Sequence, residues 1–380
     1  MRSPLFGLLL SCYCLLACGQ ILTPAAGGTD FAIQGEYIGS NTTTGAPMGA
    51  QVMAQGQGNF RLLLLDGGLP GQGWDGQGRI FISGAIQGAS ANFIQGATNL
   101  SVNLTGDSLR GINAQGQTLS LTKILRQSPT LGQAAPPAAV TLFDGTSVSS
   151  WTDAILDSNG YLRPGGVFGS GGAVTSQAYG NFTLHLEFCT PFEPLDAGQQ
   201  RGNSGIYIQN RYELQILDSF GQSYLDLGAD TLEPKRHCGA FWEMVSPALN
   251  MTFPPLSWQT YDIDFMTATF NGTVKTANAR VTVRLNGTLI HDTRDLINYT
   301  LGGNAVTASP GPHRFQNHGD VVRFRNIWIV DGPTAIAARP LPRRGSKLSV
   351  QSELRYSLVD SRLARPRDPQ GRLLILHHPQ

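Results

Sequence analysis

The residues best equipped for chemistry lie between Arg201 and Gly221, in the stretch RGNSGIYIQNRYELQILDSFG. Two short runs there alternate with the period of two that strand side chains follow. In the first, Ser204, Ile206 and Ile208 point one way, and Asn203, Tyr207 and Gln209 the other. In the second, Leu214 and Ile216 share one face, and Glu213 and Gln215 the opposite one. Directly paired residues must share a face, which favours an odd-numbered loop. Asn210-Arg211-Tyr212 would be such a loop, setting Gln209 against Glu213 and Tyr207 against Gln215. The hairpin then has an apolar underside and an upper side of amides, a phenol and a carboxylate. Asp218 has the wrong parity for that upper face and joins it only if a bulge resets the alternation. Amides and a carboxylate for hydroxyl groups, with an aromatic ring to stack on, are what a carbohydrate needs. An ordinary solvated sheet face would show the same pattern.

A second group of candidates lies near the C-terminal end of the same region. Gln316 and His318 share parity, so both could reach one groove, and Gly319 allows close approach. An imidazole titrates near working pH and suits proton transfer, although a histidine bonded to a nearby carboxylate would look the same. Arg323 and Arg325 share a face; one could polarise a carbonyl or hold hydroxyls, or they could pair with Glu187 or Glu213. Trp242 and Tyr207 could stack on sugar rings or simply pack, whereas Trp258 and Trp328 stand in apolar strand contexts and read as core. Asn203, beside Ser204-Gly205, could bond a ligand or close a turn. No cofactor is demanded. A divalent cation could sit where carboxylate, amide and imidazole converge, but no ligand spacing requires one.

The elements that must position these residues are strands. With 46 Gly and 14% charged residues, the 380-residue chain has the composition of a turn-rich β protein and the length of two domains. A Gly-rich module at residues 30–127 carries apolar runs at Gln51–Ala54, Phe60–Leu65, Arg79–Ile86, Leu100–Leu104 and Thr118–Ile124. Their spacing of roughly ten residues predicts a small β-sandwich, roll or open barrel. The loop Gly67–Trp74 is Gly-rich but lacks the Lys-Ser/Thr of a phosphate cradle. A Pro/Ala linker at 128–139 leads into the main domain at 140–332. Its strands are expected at Thr183–Phe188, Gly205–Gln209, Glu213–Leu217, Thr260–Phe265, Ala279–Leu285, Thr288–His291 and Arg323–Val330, with Asn286-Gly287 as a hairpin turn.

Ordered motifs across residues 140–331 resemble the 3-keto-disaccharide hydrolase domain family. They run from Leu142-Phe143-Asp144-Gly145 with Trp151, through Tyr179-Gly180-Asn181-Phe182 and Asn203-Ser204-Gly205-Ile206-Tyr207, to Tyr212-Glu213-Leu214-Gln215. Cys238-Gly239-Ala240-Phe241-Trp242, Gln316-Asn317-His318-Gly319 and Val322-Arg323-Phe324-Arg325 continue the series. The resemblance implies an all-β, concanavalin-like jelly roll of two curved antiparallel sheets. It also implies glycoside substrates already oxidised to a ketone at C3, cleaved by removal of the C2 proton, elimination at C1 and hydration. Glu213 and His318 would then form the acid/base pair, with Asn203, Tyr207, Gln215, Asp218, Trp242, Gln316 and Arg323 holding substrate. The family usually has Asp where this chain has Asn317. The spacing of Glu213, Gln215 and Asp218 is also similar to the acid-bearing strand of laminarinase-type glycosidases. Gln at the middle position argues against a standard retaining mechanism with two carboxylates. The rival reading is a non-catalytic, lectin-like carbohydrate-binding module using the same groove.

The chain ends carry other signals. Residues 1–18 have Arg2, an apolar run from Leu5 to Leu16 and small residues after it, the pattern of an export signal too short to span a bilayer. Leu15-Leu16-Ala17-Cys18 resembles a bacterial lipobox, so lipidation of Cys18 and a membrane anchor are expected, with cleavage and secretion as the alternative. Export permits disulfides, and Cys189 and Cys238 would be the remaining pair. Eight Asn-X-Ser/Thr triplets would matter only in a glycosylating host. A net charge of +1 argues against general nucleic-acid binding. The tail, 333–380, is basic: from 335 onward eight Arg and one Lys stand against three acids, and its few apolar residues cannot build a core.

Overall fold

The protein is described by a computed structural model covering residues 20–95, 100–113, 115–222, 234–332 and 334. The expected export signal with its Cys18 lipidation site, and the basic tail beyond 334, lie outside these described residues. Among them no helix is long and apolar enough to cross a membrane.

Residues 35–124 form eight antiparallel strands joined in chain order into a closed barrel, the first, Gly35–Asn41, pairing with the last, Thr118–Ile124. The ring is thus closed, where the sequence pattern allowed an open one. Closure satisfies both edges of the sheet. Three barrel strands, Gly35–Asn41, Ser90–Gln95 and Ser108–Ile112, are too rich in Gly, Ser and polar residues to show an apolar run. Pairing on both sides makes them strands. The interior is filled by Tyr37, Val52, Phe60, Leu62, Phe93, Val102, Leu104 and Leu121.

Ahead of the barrel, Pro24–Ile33 form a helix, kinked at Gly28. Ile21 exchanges two backbone hydrogen bonds with Phe192, whose ring packs edge-on against Phe31 and belongs to the barrel's core cluster. Barrel and C-terminal domain therefore share packing and fall in one compact unit. The linker is strapped down as well. Ser128 Oγ lies 2.6 Å from Thr260 Oγ1, Gly132 N–H donates to Glu187 Oε1 at 2.6 Å, and Gln133 O accepts from Asn326 and from Trp328 Nε1. Trp328 is accordingly buried beneath the linker and stacked on His185, not in the sandwich core. Trp258 is half-buried, with Arg325 over its ring at 4.1 Å.

Residues 140–331 form a jelly roll of two main antiparallel sheets, with a separate two-stranded hairpin made by Thr269–Asn271 and Val274–Ala277. One has five strands, in the order Trp151–Thr152, Gly172–Thr175, Arg314–Gln316, Ser204–Ile208 and Tyr212–Ile216. The other is built around Arg323–Asp331, Phe182–Cys189, Gln259–Met266, Ala279–Leu285 and Thr288–Leu296. Ile206, Ile208, Leu214, Ile216 and Phe315 of the first meet Leu184, Phe188, Ile263, Phe265, Val283 and Phe324 of the second in one core. Asn286 (φ 52°) and Gly287 (φ 76°) make the two-residue hairpin turn between Leu285 and Thr288. Cys189 and Cys238 are free, buried thiols; the disulfide that export would permit is not formed. Cys238 Sγ instead contacts Tyr261 Oη at 3.3 Å.

Candidate active site

The hairpin keeps the expected faces but not the expected register. Tyr207 pairs with Glu213 and Gly205 with Gln215, so the three-residue loop is Gln209-Asn210-Arg211, one position earlier than alternation suggested, and the partner of Glu213 moves by two residues. Gln209 and Asn210 both take left-handed φ, 52° and 54°. Gln209 leaves the upper face, and its amide donates to Tyr179 O at 2.8 Å. Gly205, Tyr207, Glu213 and Gln215 remain on the outer side, opposite the Ile206, Ile208, Leu214 and Ile216 side that enters the core. The short strand Arg314–Gln316 pairs alongside, with Arg314 next to Tyr207, and adds Arg314 and Gln316 to the same surface.

Two segments wall this surface. Residues 239–242 run along the outer hairpin strand, where Gln215 N–H donates to Ala240 O and Trp242 N–H to Glu213 O. Residues 300–304 are pinned over the turn by Thr300 N–H to Arg211 O, while Thr300 Oγ1 accepts from Glu213 N–H. Between them lies a cavity of about 230 Å³. Seven predicted site residues line it: Asn203, Tyr207, Glu213, Gln215, Trp242, Gln316 and His318.

Glu213 is the carboxylate of this lining. Its Oε2 accepts from Tyr207 Oη at 2.9 Å. Burial pushes the carboxyl up to about 7, against the lowering effects of the Tyr207 bond and the Arg314 charge. Burial and the neighbouring carboxylate push the Tyr207 phenol well above its usual value. Tyr207 Oη also lies 3.1 Å from Leu301 O, and one hydroxyl proton cannot serve both acceptors. With Glu213 ionised the phenol donates to it; with Glu213 protonated the carboxyl can donate and the phenol turn to Leu301. The Arg314 guanidinium stands 4.0 Å from the Tyr207 ring and holds Ser170 O and Gly302 O at 2.7 and 2.9 Å.

The amides form a chain. Gln215 Nε2 donates to Gln199 Oε1 at 2.8 Å and Asn203 Nδ2 to Gln199 O at 2.8 Å. Gln215 Oε1, Gln316 Oε1 and Arg314 Nε are buried with no partner among the described residues, the condition of groups whose bonds a ligand or water completes. His318 is half-buried, and that burial lowers its imidazole below the ordinary value, so the ring is neutral at neutral pH. Asn317 accepts from Gly319 N–H through Oδ1 and donates from Nδ2 to Gly166 O, both at 3.1 Å. An aspartate there could not make the second bond.

Two predicted residues are elsewhere. Asp218 is buried and accepts from Arg201 Nε at 2.6 Å; strand pairing ends at Ile216, and no bulge returns residue 218 to the face. Arg323 belongs to the opposite sheet, with its guanidinium 5.4 Å from the Tyr161 ring and 3.4 Å from Cys189 Sγ. Its neighbour Arg325 pairs with Glu187 at 2.6 Å, as the salt-bridge alternative anticipated. The arginine beside the cavity is Arg314, which parity could have found, since it stands two residues before Gln316 and four before His318. Gln199, on the 3-10 turn Gly198–Gln200, carries no sequence signal. Among the described residues no group of three or more His, Cys, Asp and Glu converges to hold a metal ion.

Two solved structures from Parabacteroides distasonis, each described as a candidate glycosyl hydrolase, are similar to the chain. The first is 28% identical with a TM-score of 0.45, covering 52% of this chain and 85% of its own. The second is 19% identical with a TM-score of 0.38, covering 51% and 94%. No curated protein matches the chain. The family model for the 3-keto-alpha-glucoside-1,2-lyase-like domain matches residues 138–330, which include every side chain of the cavity described above. The chain belongs to that family of carbohydrate-acting, hydrolase-like domains.

Proposed function

We propose that the cavity cleaves glycosides carrying a ketone at C3, with Glu213 taking the C2 proton and His318 serving the departing C1 oxygen. The observation that carries this reading is a single carboxylate, Glu213, among the cavity's described lining residues, buried and poised near neutrality. Hydrolysis of an ordinary glycoside by the two-carboxylate route needs a second acid on the other side of the bond. Asp218, the sequence's candidate for it, is committed to Arg201. Elimination needs one base.

A C3 ketone acidifies the C2 proton. Its removal by Glu213 leaves an enediolate over C2 and C3, which the positive charge of Arg314 behind Tyr207 favours. The electron pair then forms the C1–C2 double bond as the C1–O bond breaks; the N–H of neutral His318 hydrogen-bonds the leaving oxygen, which takes up through water the proton that Glu213 removed, returning Glu213 to its ionised form. Water adds across the double bond, hydroxyl to C1 and proton to C2, so the net change is hydrolysis. Asn203, Gln215 and Gln316 hold hydroxyls, and Trp242 offers a ring to stack on.

The decisive assay is turnover of a 3-keto-glycoside with a chromogenic leaving group beside its unoxidised parent, with and without chelator. Release from the keto sugar alone, unchanged by chelator, is expected. Release from neither, with measurable glycan binding, would leave a carbohydrate-binding module in place of an enzyme.

The base must be ionised to work, so kcat/KM is expected to rise with pH through an inflection near 7. Because the Tyr207 bond lowers the Glu213 value, Tyr207→Phe should move that inflection to higher pH. A pH–rate profile of both proteins checks this; an inflection that stays put in the variant would assign it to another group.

A further inference from the structure

The cavity is small. At about 230 Å³ it lies below the range of about 300–1,000 Å³ common for small-molecule sites and suits a single sugar ring. Whatever that ring carries at C1 must lie across the rim. Two large apolar side chains stand exposed there: Phe168, 67% exposed, and Leu301, 76% exposed. Leaving such surface in water is unfavourable, and beside a site it points to a ligand.

The rim is built to present the Phe168 ring. Gly169 N–H donates to Asn317 O at 2.7 Å, Asn317 N–H to Gly171 O at 3.1 Å, and Asn317 Nδ2 to Gly166 O. These bonds clamp the 166–171 loop to the segment bearing His318. The Phe168 ring lies 5.4 Å from the His318 imidazole, tilted by 55°. It reaches that position because residue 319 is glycine: a Cβ there would stand 2.8 Å from the ring. Arg314 ties this loop to the one bearing Leu301, through Ser170 O on one arm and Gly302 O on the other.

We propose that Phe168, with Leu301, forms an aglycone subsite beside His318 that takes a flat aromatic leaving group. It rests on the reading of the cavity as a 3-keto-glycoside site. An aromatic aglycone stacks on Phe168 next to the imidazole that hydrogen-bonds its departing oxygen. Val167, Phe168 and Leu301 are the exposed large hydrophobic side chains of these loops, against which a flat apolar ring buries more surface than a second sugar would, and Ser170 and Asn304 are their exposed polar side chains.

Calorimetric binding of phenyl and methyl 3-keto-α-glucosides, and of a 3-keto-disaccharide, to the Glu213→Gln protein separates the two readings. Against that background, Phe168→Ala is expected to weaken the phenyl glucoside about fivefold and to leave the methyl glucoside unchanged, the loss of one ring-stacking contact. Equal losses for phenyl and methyl, no loss, no binding of the phenyl glucoside, or an equal loss for the disaccharide would each overturn the aromatic subsite. Failure of the wild-type protein to release product from any keto-glycoside would overturn the catalytic reading while leaving the binding comparison to decide the subsite.

Discussion

Glu213→Gln is expected to lower kcat on a 3-keto-glycoside by about a hundredfold to ten-thousandfold, the range of a lost general base, with sugar affinity within a few-fold of the wild type. The substitution is isosteric and removes a charge that burial opposes. It leaves no partner stranded: the Tyr207 hydroxyl can donate to Leu301 O, already 3.1 Å away, and accept from the new amide. The melting temperature should therefore hold or rise slightly. Single-turnover kinetics and calorimetry on the same preparation separate the two effects. Affinity that falls in step with rate would make Glu213 a binding group, and unchanged turnover would move the base to His318.

How much of this was legible follows from what alternation can encode. It puts Ile206, Ile208, Leu214 and Ile216 inside and Tyr207, Glu213 and Gln215 outside, and the structure agrees. It cannot choose between registers two residues apart, because both keep every side chain on its face. The left-handed conformations of Gln209 and Asn210 made that choice, and no glycine announces them. Asp218 follows the end of alternation at Ile216, and its fate was set by Arg201, seventeen residues earlier. Arg323 and Arg314 look alike in sequence; the sheet each strand joins is decided by pairing with distant segments. The three-residue strand Arg314–Gln316 is too short to read by periodicity. The same holds for the polar barrel strands and the strapped linker, whose order comes from neighbours rather than from their own residues.

Gly205→Ala is the sharpest test of where Glu213 must stand. In the hairpin Gly205 lies directly across from Gln215 and diagonally from Glu213. A Cβ on residue 205 would sit 2.6 Å from Glu213 Oε1 and 3.0 Å from its Cγ. The backbone there is not left-handed, so alanine fits the strand without strain and restricts the unfolded chain, worth about 0.4–1 kcal/mol of stability. The atom it meets ends a flexible side chain, so the carboxylate gives way and the fold does not. The expected result is a protein as stable as the wild type whose kcat falls about a hundredfold, since a displacement of about 1 Å can cost that much. Combined with Glu213→Gln the added methyl should cost nothing further in residual rate, because the group it displaces no longer acts. Wild-type kcat in a folded Gly205→Ala protein would show that the position of this carboxylate does not limit the reaction, and the base would have to be sought elsewhere in the cavity.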